Sequence, residues 1–208
     1  MYIFNDKGSA RRIYMKRFVL WLLVFSFIAA LHPIEIHAAR NDYVSKYMSI
    51  VAEYERDHYG EKTEYVDNRA RYRLIHIDND GIPELVANAN CYISVYTYKN
   101  GQCYELMDNC GYGAMGTMCP AFLPKKNKIL QQSYDGAGII RFDDFYRISK
   151  SHRKMINTDQ FVYDYRSDSN TYVERNGRDG EEPDISAFKY MEGGKVYQEI
   201  MVQLQDKK

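Results

Sequence analysis

The sequence predicts an α+β fold in which an antiparallel β-meander sheet is packed by an N-terminal helix and a C-terminal helix. Three observations carry this expectation. Apolar residues recur at helical spacing only near the two ends of residues 40–208. Between those ends the period is two. The two-periodic runs follow one another through short turns, which suit antiparallel pairing, since parallel strands need crossovers of a dozen residues or more.

The first helix is expected over residues 43–58. Val44, Tyr47, Met48, Val51 and Tyr54 stand three and four residues apart and form one apolar face. Asp42 or Asn41 is the candidate N-cap and Gly60 the stop. That stripe reads as core. From Arg71 to Ile77 the alternation of Tyr72, Leu74 and His76 with Arg71, Arg73 and Ile75 predicts a strand, and Glu84 to Ala89 predicts a second. Tyr92–Tyr98 and Cys103–Met107 flank Asn100-Gly101, a two-residue hairpin turn whose positions both tolerate positive φ. Gly111 to Thr117 is a loop. Lys128–Ser133 and Ile139–Ser149 are expected strands joined at Asp135-Gly136, and Phe161–Tyr165 with Thr171–Glu174 is expected to form a hairpin around residues 167–170. Asp184 or Ser186 caps a short helical piece. Gly193-Gly194 separates it from a last helix bearing Val196, Tyr197, Ile200, Met201 and Leu204 on one face.

The first forty residues read as an address. Met15-Lys16-Arg17 precedes an apolar run from Phe18 to Leu31, and a short polar stretch then ends at Ala38-Ala39. A basic start, a short apolar core and a small-residue exit describe a secretory signal peptide. The run is short against the roughly twenty residues of a spanning helix. The expected organisation is an upstream extension at 1–14, a signal peptide at 15–39 with cleavage after Ala38 or Ala39, and a single domain at 40–208. The product is expected to be secreted, with no membrane attachment after cleavage. The uncleaved anchor is the competing reading.

Across all 208 residues, 28 Lys and Arg balance 28 Asp and Glu. A nucleic-acid arm or a polybasic membrane patch is therefore not the dominant feature. Export changes how the cysteines are read. Cys91, Cys103, Cys110 and Cys119 lie within a short stretch, and an oxidising compartment permits disulfides among them. A bulge-free hairpin around Asn100-Gly101 sets Tyr98 opposite Cys103 and Cys91 opposite Cys110, which leaves Cys103 for Cys119. Zinc is the competing reading, against which stands the lack of any Cys-x₂₋₄-Cys pair.

One loop carries chemistry: His76-Ile77-Asp78-Asn79-Asp80-Gly81-Ile82-Pro83-Glu84-Leu85. Carboxylates on alternate residues before a glycine can wrap a hard cation with oxygen ligands while the glycine permits a sharp turn. The candidate ligands are His76, Asp78, Asp80, the Ile82 carbonyl and Glu84. Position twelve, where an EF-hand has glutamate, is Ala87. The competing reading is a bare turn, since Asp, Asn and Gly all favour turns. The loop, the strands flanking it and the hairpin Tyr96-Thr97-Tyr98-Lys99-Asn100-Gly101 resemble a group of uncharacterised exported proteins of Gram-positive bacteria. The loop is also similar to the calcium loops of FG-GAP and VCBS-type repeats, which close on the ninth-position carboxylate. That resemblance implies calcium as a structural ion. The repeat families' propeller is not implied by one copy.

Other signals are weaker. Gly111-Tyr112-Gly113-Ala114-Met115-Gly116 spells G-x-G-x-x-G, but Cys119-Pro120 follows where a dinucleotide fold needs a helix. Glu84 with Asp143 or Asp144 offers the paired carboxylates of a glycosidase. The twenty tyrosines read mostly as core, with Tyr92, Tyr96 and Tyr98 sharing one strand face and the remainder forming an exposed aromatic patch. The leading expectation is an exported, non-enzymatic module that binds a protein or glycan surface and carries a structural calcium-type loop. An extracellular hydrolase acting on glycans is the alternative, and an inhibitor or immunity-type partner is the third reading.

Overall fold

The computed structural model describes residues 42–58, 69–113, 116–135, 138–166, 172–174, 179–180 and 182–208. The upstream extension, the signal peptide, Asn41, Gly60 and the turn at 167–170 lie outside the described residues. In chain order the elements are α1 (residues 42–57), β1 (Arg71–Ile75), β2 (Glu84–Ala89), β3 (Tyr92–Lys99) and β4 (Gln102–Gly111). They continue with β5 (Ala121–Leu123), β6 (Lys128–Tyr134), β7 (Ile140–Ile148), β8 (Met155–Asp164), β9 (Tyr172–Glu174), β10 (Asp179–Gly180), β11 (Lys189–Tyr190) and α2 (Tyr197–Gln205). The fold is α+β, antiparallel throughout, with a helix at each end.

The strands divide between two sheets. One is a four-stranded meander, β1-β2-β3-β4, and the other runs β10-β9-β8-β7-β6-β5-β11. Only β11 breaks the sequential order, pairing Lys189 with Phe122 and Tyr190 with Ala121 at the β5 edge. The first sheet has both faces covered. Toward the helices, Tyr72, Leu85, Ala87, Ala89 and Tyr98 pack with Tyr43, Val44, Tyr47 and Val51 of α1 and with Ile200 and Leu204 of α2. Toward the second sheet, Ile75, Val86, Ile93 and Val95 meet Phe122, Ile129, Ile148 and Met191. This double coverage explains why every residue of β2 is buried, Glu84 and Asn88 included, although an antiparallel strand with one open face would alternate. Each of the fully buried Val and Ile side chains contributes roughly 1.5–3 kcal/mol of transfer free energy.

Several local expectations are corrected. Asp42 is already within the helix, and its carboxylate accepts the Tyr98 hydroxyl at 2.6 Å, joining α1 to β3. The short helical piece after Asp184 is a single turn. Ser186 N–H donates to the Asp184 side chain and Phe188 N–H to the Ile185 carbonyl, after which the chain enters β11. Asn90 and Cys91 both hold positive φ, 50° and 64°, as a two-residue hairpin turn between β2 and β3 requires. Asn100-Gly101 turns the next hairpin at 52° and 80°. Gly194 is needed where it stands, because a Cβ there would run into the Tyr72 carbonyl beside the Tyr72–Lys195 bridge that ties β1 to the entry of α2.

The cysteine pairing is corrected by register. Two irregularities in the β3–β4 ladder, between Ile93 and Val95 and between Val95 and Tyr96, set Ile93 opposite Cys110 and Tyr92 opposite Gly111. Cys91 therefore does not face Cys110. Tyr98 does face Cys103, as expected. Cys103 packs against the helix-side cluster, whereas Cys119 is buried in the layer between the sheets, so the first sheet separates that pair too. None of the four cysteines is joined to another in this structure.

Candidate metal centre

The loop between β1 and β2 folds on its own carboxylates. Asp78 Oδ1 accepts the Asp80 backbone N–H at 3.1 Å, and Asp80 Oδ1 accepts that of Ile82 at 2.9 Å. Gly81 takes φ 89°, the conformation that favours glycine. Neighbouring elements then pin the loop. The turn between β5 and β6 donates Lys125 N–H to the His76 carbonyl and Asn127 N–H to that of Ile77, while Tyr47 of α1 donates its hydroxyl to the Pro83 carbonyl at 2.8 Å.

A residue far away in sequence completes the site. The turn between β7 and β8 closes through Ser149 N–H to the Lys154 carbonyl and His152 N–H to the Ser149 carbonyl, and His152 holds φ 57°. From this left-handed position its imidazole enters the space between the sheets and is buried. His152 Nδ1 lies 3.2 Å from Thr97 Oγ1, and Nε2 lies 3.4 Å from Asp78 Oδ2 and 3.9 Å from Asp80 Oδ2. One donor atom each from Asp78, Asp80 and His152 fall within 4.8 Å of one another. Lys99 Nζ pairs with Asp80 Oδ2 at 3.3 Å on the solvent side.

Glu84 is enclosed behind this group, only 1% exposed. Its Oε2 accepts the Ile77 N–H at 2.8 Å and its Oε1 accepts the Thr97 hydroxyl at 3.3 Å. Burial, reinforced by the charges of Asp78 and Asp80 and opposed by the Ile77 N–H, raises its pKa to about 8. Burial also raises that of Asp78, with the Asp80 charge adding to the effect and the Asp80 N–H opposing it. The Thr97 hydroxyl has one proton. When Thr97 gives it to Glu84, His152 Nδ1–H donates to Thr97, and the Nε2 lone pair faces two carboxylates. That juxtaposition is repulsive unless a proton or a metal cation sits at Nε2.

Of the sequence candidates, Asp78 and Asp80 are brought together and Glu84 lies one hydrogen-bonded residue behind them. His76 stands apart from the converging trio. Burial and the nearby Lys125 lower its pKa, and its carbonyl is spent on Lys125. Ile82 is held in the loop through its N–H, which Asp80 Oδ1 accepts. His152 was missed, because nothing in the sequence links it to a loop 72 residues earlier beyond its being one of the few histidines.

Of the carboxylates in the glycosidase reading, Glu84 and Asp143 are not brought together. Ile129 faces the intersheet layer, so its neighbour Leu130 and the alternate residue Gln132 face away, together with their partners Phe145 and Asp143. Asp143 is thus on the far face of the second sheet from Glu84. It accepts Gln132 Nε2 at 2.8 Å, pairs with Arg141 at 3.3 Å and is fully buried. Asp144 accepts a hydrogen bond from Gln160.

Comparison with protein families, with curated proteins and with solved structures finds no match for this chain. No helix among the described residues is long and apolar enough to cross a membrane.

Proposed function

We propose that this chain is an exported, non-enzymatic binding module whose Asp78–Asp80 loop is a structural cation site, with His152 as the nitrogen donor that His76 was expected to supply. The convergence of Asp78, Asp80 and His152 within 4.8 Å carries the reading. A divalent cation there would relieve the mutual repulsion of the two carboxylates and would take the Nε2 lone pair in the tautomer that carries its proton on Nδ1. It would also tie the β1–β2 loop to the β7–β8 turn, joining one sheet to the other. Calcium is the ion suggested by the loop's resemblance to FG-GAP and VCBS-type loops. A histidine ligand favours a borderline ion such as zinc, and the two carboxylates suit a harder ion such as manganese, so the test includes these. The burial of Glu84, Thr97 and His152 supports a structural role, since a substrate needs access to its catalytic groups. The binding surface would draw on the exposed rings of Tyr92, Tyr165 and Tyr190, which suit a protein or a glycan face.

The test is thermal unfolding of the full chain in EDTA and across separate titrations with calcium, zinc and manganese. A saturable rise in Tm that is lost in both Asp80→Ala and His152→Ala supports the reading. No rise with any of the three ions, in a chain that unfolds cooperatively, overturns it and leaves the loop as a turn. Hydrolysis of a polysaccharide panel that vanishes in Glu84→Gln would overturn the non-enzymatic part.

A further inference from the structure

The four cysteines occupy three different environments, and these restrict which thiols can meet. Cys103 is on the helix side of the first sheet, opposite Tyr98. Cys110 stands opposite Ile93 in the same ladder, five residues along β3 from Tyr98, or roughly 16 Å at strand spacing. A disulfide needs Cα atoms within about 7 Å, so Cys103 reaches neither Cys110 nor the more distant Cys91. Cys91 is exposed at the tip of the β2–β3 hairpin, where its carbonyl accepts the Tyr112 N–H.

Cys110 and Cys119 share a location. Both border the aliphatic layer between the sheets, Cys119 as a buried member and Cys110 packed against it. Gln131 connects them. Its Nε2 donates to Cys110 Sγ at 3.2 Å from the second sheet. Cys119 approaches the same residue from the segment that leads into β5, because the Thr117–Ser133 bridge and the Ala121–Leu130 pair bracket the position where Cys119 lies beside Gln131. Burial raises the pKa of the Cys119 thiol, Glu192 adds to that, and the neighbouring Cys110 adds a further small push.

We infer that Cys110 and Cys119 form a disulfide that joins β4 of the first sheet to the segment leading into β5 of the second, while Cys91 and Cys103 stay as thiols. The inference rests on the export proposed above, because an oxidising compartment supplies the electron acceptor. In the reaction the two thiols lose two protons and two electrons as one S–S bond forms. A disulfide oxidant, oxidised glutathione or a dithiol–disulfide oxidoreductase, accepts them and is released as two thiols. Cys119 is buried in the folded chain, so the bond forms as the two sheets come together.

The experiment uses the full chain, refolded in a defined buffer of reduced and oxidised glutathione, alkylated without reduction and cleaved with cyanogen bromide. Met107, Met115, Met118 and Met155 place Cys110 in fragment 108–115 and Cys119 in fragment 119–155, with Cys91 and Cys103 together in fragment 49–107. The expected product is fragment 108–115 cross-linked to fragment 119–155, with fragment 49–107 alkylated at both cysteines. A cross-link from fragment 49–107 to either of the others overturns the assignment, as do four alkylated cysteines after oxidising equilibrium. Refolding in vitro makes the outcome independent of export, which is read separately from the presence of the chain in the culture medium. If Cys110→Ser misfolds, the wild-type fragment map still decides.

Discussion

On its helix side the four-stranded sheet buries Tyr43, Tyr47, Tyr54, Tyr72 and Tyr98. Several send their hydroxyls to the rim of the layer, Tyr98 to Asp42, Tyr72 to Glu55 and Tyr47 to the Pro83 carbonyl. On its other side the layer is aliphatic along most of its length, and at one end it encloses Glu84, Thr97, His152 and Asp78. Tyrosine can be buried at little cost because its polar tip reaches a partner at the edge. The enclosed carboxylates have no such exit, and each depends on a proton, a donor or a cation brought to it. One face is therefore held by packing and the other, at its end, by charge balance.

That contrast is sharpest where packing is removed. Tyr72→Ala should cost about 4 kcal/mol, in the range for deleting a buried aromatic ring, whereas Tyr72→Phe should cost about 1 kcal/mol, the net worth of its hydrogen bond to Glu55 at 2.7 Å. Urea unfolding of the two variants measures both. If the costs are equal, the helix side depends on its hydroxyls and the contrast fails.

The charged end should respond to pH where the helix side does not. The Glu84 pKa rises from an ordinary 4.5 to about 8 in the folded chain. The native state keeps a proton that the unfolded chain has released. The stability it contributes is therefore whole below pH 4.5 and is lost progressively as pH rises to about 8. Tm of the metal-free protein should fall across this window. Glu84→Gln should flatten the profile and at pH 7 be the more stable form by up to about 3 kcal/mol. Saturating cation should also flatten it, by holding Glu84 ionised.

Cation binding is the next effect in size. At a hundredfold excess over Kd the native state gains about 2.7 kcal/mol, and His152→Ala should abolish that gain while leaving the Tyr72 variants' costs unchanged. Asn127→Ala removes a paired contact, since Asn127 donates to the Ile148 carbonyl at 3.0 Å and accepts the Ile148 N–H at 2.6 Å. It should cost about 2 kcal/mol and weaken the apparent cation affinity, because it fixes the end of β7 that carries His152. Lys99→Ala should be smallest, within about 0.5 kcal/mol, as a partly exposed pair with Asp80.

Periodicity and turn chemistry alone determined the α+β class, both terminal helices, the strands on either side of the acidic loop and the Asn100-Gly101 turn. These features are local: a helical face, an alternation or a pair of residues that accept positive φ is written in neighbouring residues. The acidic loop was legible for the same reason, through Asp78, Asp80, Gly81 and Glu84. Other features depended on residues distant in sequence. The division into two sheets follows from both faces of β2 being covered. The two irregularities in the β3–β4 ladder moved Cys110 opposite Ile93, and a register shift leaves no mark in composition. His152 enters the site because β7 ends beside Asn127 and the following turn holds positive φ. The sequence determined the carboxylates, but only the tertiary structure decided which histidine meets them, because that meeting depends on how two sheets stack and not on any spacing along the chain.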